Sequence, residues 1–398
     1  MTHTIIDKGF FVYLHGFCAI DTWLGNNVFE ESTSVHILTN ADNTDLAKLF
    51  ENIRYPGIDL ADAALDMDDK TWYFCCVDST NDIKPSFALL DFYYDFKTKT
   101  YIDPRGIIPL LEKIKRIVTN YPVIKNSEEV ITPLQVLIDG FYDVRALTDA
   151  ALIFSKYFTY DCGAEKYIKK IAELYKIQSG SAMSQEEQRI FLSELITSPN
   201  PGLGLELLKL GGFLENFWQE LFILERADHS KDFHPEGNAW IHTMETLRHR
   251  KPGGTGCYDL KLSLGLLMHD SGKPLAPSTG SKRYDGHAEL GEMQARKFLE
   301  RLGFDSSMTV DVCWLVRNHM LPAALPRLPL FRTEQIMTSP LFPMLMELYR
   351  CDESSSFKGL DGYYESSAVY QQFLKNKSNP YRSATGKKLN KKQKSKKS

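Results

Sequence analysis

The most constraining feature of this sequence is a change in the spacing of its apolar residues part-way along the chain. Four short runs rich in β-branched and aromatic residues fall between residues 9 and 110: GFFVYL, TSVHILT, WYFCCV and FALLDFYYD. The segment NTDLAKLFENI, which lies among them, has apolar residues at helical spacing. From ITPLQVLIDGFYDVRAL onward the apolar residues recur every three or four positions, and strand-like runs disappear. We therefore predict an α+β domain followed by all-helical units.

The histidines are concentrated in the last of these helical units. Seven of the ten lie between residues 229 and 319. The segments IHTMETL, LLMHDSGKP, YDGHAELGE and VRNHML each place a histidine within a helical apolar pattern or at its edge, so these side chains are expected to point inward. A single inward histidine is usually a hydrogen-bonded core residue. Several together favour a divalent cation held by imidazole and carboxylate, because every buried ring nitrogen needs a partner.

His269 and Asp270 are adjacent and supply one imidazole and one carboxylate from a single helical turn. A carboxylate within the apolar run LGLLMHD is costly to bury unless a cation pairs with it. The candidate ligands are far apart in sequence, which indicates a site assembled across a helical bundle with open coordination positions. Open positions are typical of a catalytic metal ion, whose bound water becomes a nucleophile near neutral pH.

These motifs resemble the HD phosphohydrolase superfamily, in the form found at the carboxyl end of bacterial CCA-adding enzymes, the tRNA nucleotidyltransferases. HPEGNAWIHTMETL, LLMHDSGKP, YDGHAELGE and RNHML follow one another in the order of that family. The resemblance implies that the metal ligands are His242, His269, Asp270, His287, His319 and Asp352. His287 and His319 would either complete a second metal position or contact the substrate phosphate. It implies that the catalytic residues are His269, Asp270, Lys273, His287 and His319. Lys273 would contact phosphate as a point charge.

The same resemblance implies that the cofactor is a divalent metal ion. Imidazole and carboxylate ligands suit manganese, nickel, cobalt, iron, magnesium or zinc, so the ligand types do not identify the ion.

The first two hundred residues are similar to the head and neck of the same enzymes and of bacterial poly(A) polymerases. DTWLG at 21–25 resembles the end of their glycine-rich motif, and ITPLQVLIDGFYDV resembles the start of the neck. The resemblance implies an α+β nucleotidyltransferase-like head at residues 1–120 and a helical, RNA-binding-like neck at residues 121–225. An all-α HD domain would follow at residues 226–372, and a basic disordered tail at residues 373–398.

The catalytic groups of such a head are missing from this sequence. Nucleotidyl transfer uses two or three carboxylates to hold two magnesium ions, and the family supplies the first pair as Asp-x-Asp on a strand. Ser34 and His36 occupy those two positions here, and Ser86 occupies the position of the third acid. The neck arginines that read the incoming base correspond to Gln135, Ile138 and Phe141. These losses predict that nucleotidyltransferase activity is unlikely.

The carboxyl-terminal tail is strongly basic. The whole chain has a net charge of −4, but the segment from Lys375 to Ser398 contains ten Lys or Arg residues and no acid, which leaves −14 on the rest. Such a segment cannot bury a core and is expected to be disordered. It would either bind RNA or only keep the protein in solution, and both alternatives remain open.

The composition argues against two other classes of protein. The longest apolar runs are well short of the roughly 18 residues that span a membrane, and the amino terminus lacks a convincing signal-peptide cleavage site. The seven cysteines are scattered without a C-x-x-C pair, which argues against a disulfide framework or a zinc knuckle. We expect a cytoplasmic protein that makes no contact with a membrane.

Together these features predict a metal-dependent phosphohydrolase that acts on phosphate esters of nucleotides or on RNA termini. RNA would bind through the neck and the basic tail. One alternative is an active tRNA nucleotidyltransferase of the CCA-adding or poly(A) polymerase type, in which displaced acids hold the metal. The candidate acids lie in a stretch without strand context, and they are Asp59, Asp62, Asp66, Asp68 and Asp69. A second alternative is a non-catalytic RNA-binding protein in which the metal is structural.

Overall fold

The computed structural model divides the chain into two compact units. The first comprises residues 1–217 with 252–258, and the second comprises residues 218–251 with 259–398. The structure describes residues 1–32, 34–58, 60–68, 70–83, 90–112, 144–158, 165–177, 180–228, 237–253, 258–277, 284–356, 359–379, 381–383 and 387–388. Several predicted positions lie outside these residues, namely Ser86, Gln135, Ile138, Phe141 and most of the basic tail.

A mixed sheet of six strands forms the centre of the first unit. Its strands are β1 (Val12–His15), β2 (Ser34–Thr39), β3 (Ala63–Met67), β4 (Lys70–Cys76), β5 (Tyr93–Asp95) and β6 (Thr100–Ile102). The spatial order is β3-β4-β2-β1-β5-β6. β2 and β4 run parallel, and the other neighbours run antiparallel. The central strand β2 is buried along nearly all of its length, because β1 and β4 flank it on both sides.

The helices of the first unit lie before, between and after these strands along the chain. They are α1 (Thr2–Ile6), α2 (Phe17–Leu24), α3 (Val28–Glu31), α4 (Asn43–Leu49), α5 (Val144–Tyr157), α6 (Glu165–Leu174), α7 (Gln185–Thr197), α8 (Pro201–Leu210) and α9 (Phe213–Phe217). A capping box between Ser184 and Glu187 fixes the start of α7. α8 packs closely on α5, because Gly204 has no Cβ, and an added one would lie 2.2 Å from Ser155 Oγ.

Helices make up the second unit. They are α10 (Gln219–Phe222), α11 (Ala239–Arg248), α12 (Leu260–Met268), α13 (His287–Arg301), α14 (Ser306–Asn318), α15 (Leu321–Ala324), α16 (Leu330–Met337), α17 (Phe342–Ser354) and α18 (Asp361–Ser378). Short 3-10 helices cover Thr80–Asp82 in the first unit and Ile223–Arg226, Lys273–Leu275 and Leu325–Arg327 in the second. Asn238, Asp259 and Asp305 cap α11, α12 and α14 by accepting backbone N–H bonds.

The predicted fold class is confirmed: a sheet-containing amino-terminal part precedes a helical remainder. β1, β2, β4 and β5 fall in the four predicted strand runs, whereas β3 and β6 were not anticipated. The last helix ends at Ser378 and buries Phe373, so helical structure extends beyond residue 373, where the predicted tail begins. Within the described residues, no helix combines the length and the apolar composition needed to cross a membrane.

Candidate metal centre

Five helices of the second unit, together with the turn after one of them, position the six predicted metal ligands. His242 lies in α11, His287 is the first residue of α13, and Asp352 lies in α17. His269 and His319 each stand at the carboxyl end of a helix, α12 and α14 respectively, and Asp270 follows His269 directly. His242, His269, Asp270 and His319 are each 1 % exposed.

The turn after Asp270 packs directly against the start of α13. Gly272 allows this approach, because an added Cβ would lie 2.0 Å from the carbonyl oxygen of His287. Gly286, which directly precedes His287, has φ 79°, a left-handed conformation that glycine adopts without strain. The two glycines therefore bring His287 close to the His269–Asp270 turn.

Three of the imidazoles are held in the same way. The Nδ1 atoms of His269, His287 and His319 each lie 2.7 Å from the backbone carbonyl oxygen three residues earlier. A carbonyl oxygen can only accept, so each Nδ1 carries a proton, and in the neutral imidazole each Nε2 presents a lone pair. This is the tautomer in which Nε2 can bind a metal ion.

The fourth imidazole, that of His242, is held by a side chain. Its Nδ1 lies 3.1 Å from Ser355 Oγ, and the Ser355 hydroxyl donates to the carbonyl oxygen of Asp352 at 2.6 Å. Because the hydroxyl proton is used in that bond, Ser355 Oγ accepts the Nδ1 proton of His242. All four imidazoles therefore present an Nε2 lone pair.

The Nε2 atoms converge in pairs at distances that a bound cation would explain. His242 and His269 have their Nε2 atoms 3.3 Å apart, and the corresponding distance between His287 and His319 is 3.1 Å. Lone pairs facing each other at this distance repel unless positive charge lies near them. The donor set of neutral imidazole and carboxylate therefore fits a divalent metal ion.

The ligands form two groups, each with its ligand atoms within 4.8 Å of one another. The first contains His242, His269 and Asp352, and the second contains Asp270, His287 and His319. These are the two groups of at least three metal-ligating side chains within the part of the chain that the structure describes.

Asp270 faces both groups, with a different oxygen towards each. Its Oδ2 lies 3.4 Å from His269 Nε2 and 3.7 Å from His242 Nε2. Its Oδ1 lies 3.8 Å from His287 Nε2 and 3.9 Å from His319 Nε2. A carboxylate in this position could bridge two metal ions.

The electrostatics favour ionised carboxylates and neutral imidazoles at His287 and His319. Burial alone would raise the pKa of Asp270, but the interactions with His269 and Lys273 outweigh it and hold that pKa well below the usual range. Burial is likewise outweighed at Asp352, where the contact with His242 lowers the pKa. Burial and the nearby His269 lower the pKa of His319 to about 3. These are the protonation states in which both residue types bind a metal ion.

Lys273 contacts a ligand of this centre. Its Nζ lies 2.6 Å from Asp270 Oδ2, and the lysine side chain is 14 % exposed. The predicted contact of Lys273 with phosphate stays a prediction. The structure does place a positive charge at the edge of the centre.

In the first unit, the two positions where the sequence analysis noted missing acids meet a distant carboxylate. Ser34 Oγ donates to Glu194 Oε1 at 2.6 Å, and His36 Nε2 lies 3.3 Å from the same oxygen. His36 also stacks on Tyr73 with ring centroids 5.3 Å apart. Glu194 comes from α7, and sequence analysis gave no indication that it would reach this strand.

A cavity of about 520 Å³ opens beside this cluster. Its walls include His15, His36 and Arg145 together with the apolar side chains of Phe17 and Leu152. The volume is within the range of small-molecule pockets in proteins.

The acidic stretch that was considered as a source of displaced ligands has a different role. Asp66 lies in strand β3, so the statement that this stretch lacks strand context is wrong. Its carboxylate accepts from Thr71 and Arg54, at 2.6 and 3.2 Å. Asp62 accepts from the backbone N–H of Cys76 at 2.7 Å. Asp59 and Asp69 lie outside the described residues.

The family model described as "HD domain" matches residues 247–342. This range contains His269, Asp270, His287 and His319, and it lies between His242 and Asp352. The chain contains an HD domain. The two candidate ligands outside the matched range are His242, which lies on α11, and Asp352, which lies on α17.

Curated relatives of the chain include a tRNA nucleotidyltransferase and multifunctional CCA proteins. The CC-adding tRNA nucleotidyltransferase of Thermus thermophilus is 34% identical over 144 residues, which cover 34% of this chain and 32% of the relative. The multifunctional CCA protein of Halorhodospira halophila is 32% identical over 111 residues, covering 28% and 26%. The chain is homologous to CCA-adding enzymes, and the match spans about a third of the length of these relatives.

Solved structures of similar proteins include the Bacillus stearothermophilus CCA-adding enzyme in complex with CTP, at 15% identity. That comparison covers 94% of this chain and 81% of the other, with a TM-score of 0.47. A second is the Thermotoga maritima CCA-adding enzyme complexed with tRNA, at 11% identity, covering 98% and 83% with a TM-score of 0.43.

The comparisons require a correction of the predicted enzyme class. The sequence motifs predicted a phosphohydrolase and made nucleotidyltransferase activity unlikely. One relative is named as a CC-adding tRNA nucleotidyltransferase and another as a multifunctional CCA protein, which contradicts this prediction and favours the alternative of a CCA-adding type of enzyme.

Proposed function

We propose that this protein is a metal-dependent enzyme that adds nucleotides to the 3′ end of tRNA, the activity for which its curated relatives are named. The observation that carries the proposal is the 34% identity over 144 residues to a CC-adding tRNA nucleotidyltransferase. The partners would be tRNA and nucleoside triphosphates. The carboxyl-terminal basic segment would add affinity for the RNA backbone.

Ser34 and His36 leave no acid pair on strand β2, so the divalent metal ions that the reaction needs would be held instead by the two ligand groups of the HD domain. Bound there, the ions would supply positive charge to the phosphate oxygens of the substrate. The carboxylate of Asp270 would keep the two groups in a fixed relation, because its two oxygens face different pairs of histidines. Lys273 would contribute a further positive charge beside the reacting phosphate.

A direct test measures incorporation of labelled CTP and ATP into a tRNA that lacks its 3′-terminal nucleotides. We expect extension by the metal-loaded protein and loss of extension after chelation. His269→Ala and Asp270→Asn should abolish extension, whereas His249→Ala should retain it, because His249 is in neither ligand group.

Two results would contradict the proposal. Phosphate released from the substrates without any extension of the tRNA would exclude nucleotide addition as the reaction. Extension that survives in both ligand variants would show that the HD domain does not hold the reacting metal ions.

A second candidate function is binding of tRNA without nucleotide addition. It is favoured by the contacts of Ser34 and His36, which are directed to Glu194 and leave no acid pair on strand β2. Fluorescence anisotropy with labelled tRNA in excess chelator tests this candidate. Tight binding without extension under any metal would support it, and extension in the first assay would exclude it.

A further inference from the structure

We propose that Ser355 is a positioning residue of the metal centre, and that it holds His242 in the tautomer that can bind a metal ion. Ser355 Oγ lies 3.1 Å from His242 Nδ1, while its hydroxyl donates to the carbonyl oxygen of Asp352 at 2.6 Å. The serine therefore connects two ligands of the same group, one on α11 and one on α17.

His242 differs from the other three histidines in the kind of group that accepts its Nδ1 proton. His269, His287 and His319 donate to backbone carbonyl oxygens, which substitution of a side chain does not remove. His242 has a serine hydroxyl in the same role. Its tautomer can therefore be changed by a single substitution outside the ligand set.

The competing tautomer of His242 has an acceptor close at hand. His242 Nε2 lies 3.0 Å from Asp352 Oδ1, which is hydrogen-bond distance. With the proton on Nε2, the imidazole would donate a hydrogen bond to that carboxylate. Neither Nε2 nor Asp352 Oδ1 would then be available to a cation. Ser355 opposes this arrangement, because it offers the Nδ1 proton an acceptor. Nε2 and Asp352 Oδ1 then both remain available to a cation.

The neighbouring Ser356 provides a matched control. Its hydroxyl donates to the carbonyl oxygen of Glu353 at 2.9 Å, three residues earlier, as that of Ser355 does to Asp352. The contact with His242 distinguishes the two serines. Ser355→Ala and Ser356→Ala thus remove the same kind of local bond, and the first also removes the imidazole contact.

The test uses the full chain, stripped of metal and titrated with Mn²⁺ in a calorimeter. The second ligand group does not include His242, so Ser355→Ala should weaken one of two ions by about 10–100-fold and leave the other unchanged. Ser355→Thr, which keeps the hydroxyl, should restore the affinity, and Ser356→Ala should bind as the unaltered protein. Equal weakening by Ser355→Ala and Ser356→Ala would overturn the proposal.

A second measurement reads the tautomer itself in the metal-free protein. Nitrogen-15 NMR of the histidine side chains should place the His242 proton on Nδ1 in the unaltered protein and on Nε2 in Ser355→Ala. An unchanged tautomer in that variant would overturn the proposal. The inference rests on the metal centre of the proposed function and is independent of tRNA extension, so failure of the extension assay leaves both readouts decisive.

Discussion

Ser34 donates a 2.6 Å hydrogen bond to Glu194, although 160 positions separate the two residues in the chain. Glu194 also lies within 3.3 Å of His36 and near the charge of Lys156. Burial alone would raise the pKa of Glu194, but the contacts with His36 and the charge of Lys156 lower it to about 2. A carboxylate from a helix thus stands beside the strand positions where the family resemblance implied acids.

We predict that Glu194→Gln destabilises the first unit by about 3 kcal/mol at pH 7, because a lowered pKa measures the stability that the ionised group contributes. Hydrogen exchange of the β2 amides reports on this unit. Glu186→Gln on the same helix is the control, since Glu186 pairs with the partly exposed Arg54 and should cost less than about 1 kcal/mol. Equal protection in the two variants would refute the prediction.

The stability of the first unit should also depend on the protonation of His15. Burial, together with the charges of His36 and Arg145, lowers the pKa of His15 from 6.5 to about 3. The folded state therefore resists protonation of His15, and its stability falls as pH drops below 6.5 towards 3. Between pH 7 and pH 5 we expect a loss of about 2 kcal/mol from this group.

His15→Gln isolates that contribution. Hydrogen exchange of the β2 amides at pH 7 and pH 5 should show a smaller loss of stability in the variant than in the unaltered protein. The same pH dependence in both proteins would mean that His15 is protonated equally readily in the folded and unfolded chain.

Local patterns were sufficient to predict much of the fold. The runs that became β1, β2 and β4 are rich in β-branched and aromatic residues, which favour strands. β6 is only three residues long and is exposed or half-buried, so its sequence has no strong alternation to detect. β3 was missed because its acidic flanks were interpreted as a separate acidic stretch.

Five of the six candidate ligands stand in recognisable local motifs, Asp352 came from the family resemblance alone, and the structure brings all six together in two groups. Ser355 and Glu194 could not be predicted in the same way. Their roles depend on which helix packs beside which, and neither residue lies in a motif of its own. The predicted enzyme class was wrong for a related reason: the motifs indicate a metal site without identifying its reaction, and the reaction that we propose rests on the names of the relatives.

Lys273 should affect the reaction more than the binding of metal. Its ammonium group lies 2.6 Å from Asp270 Oδ2 and would add positive charge beside the phosphate. Lys273→Met should lower kcat/KM for tRNA extension by about 10²-fold while the metal content is retained. Lys261→Met is the control, because Lys261 pairs with Asp311 and should leave kcat/KM unchanged. Loss of metal from Lys273→Met would show that the lysine supports the ligands instead.

The basic segment after α18 should contribute to RNA binding through charge alone. Truncation after Ser378, where the helix ends, keeps the buried Phe373 and Asn376 in place. The affinity for tRNA should fall, and the slope of log affinity against log salt should become shallower by roughly 0.7 to 0.9 for each phosphate contact that is lost. Identical salt slopes for the full and truncated chains would mean that the segment only keeps the protein in solution.

We propose that the HD domain holds two metal ions, one on each side of Asp270. Electron paramagnetic resonance of the protein loaded with Mn²⁺ tests this arrangement, because two ions bridged by one carboxylate are magnetically coupled. We expect two Mn²⁺ per chain with a coupled spectrum, and loss of the coupling in Asp270→Asn. A single Mn²⁺ per chain at saturation, with the spectrum of an isolated ion, would contradict it.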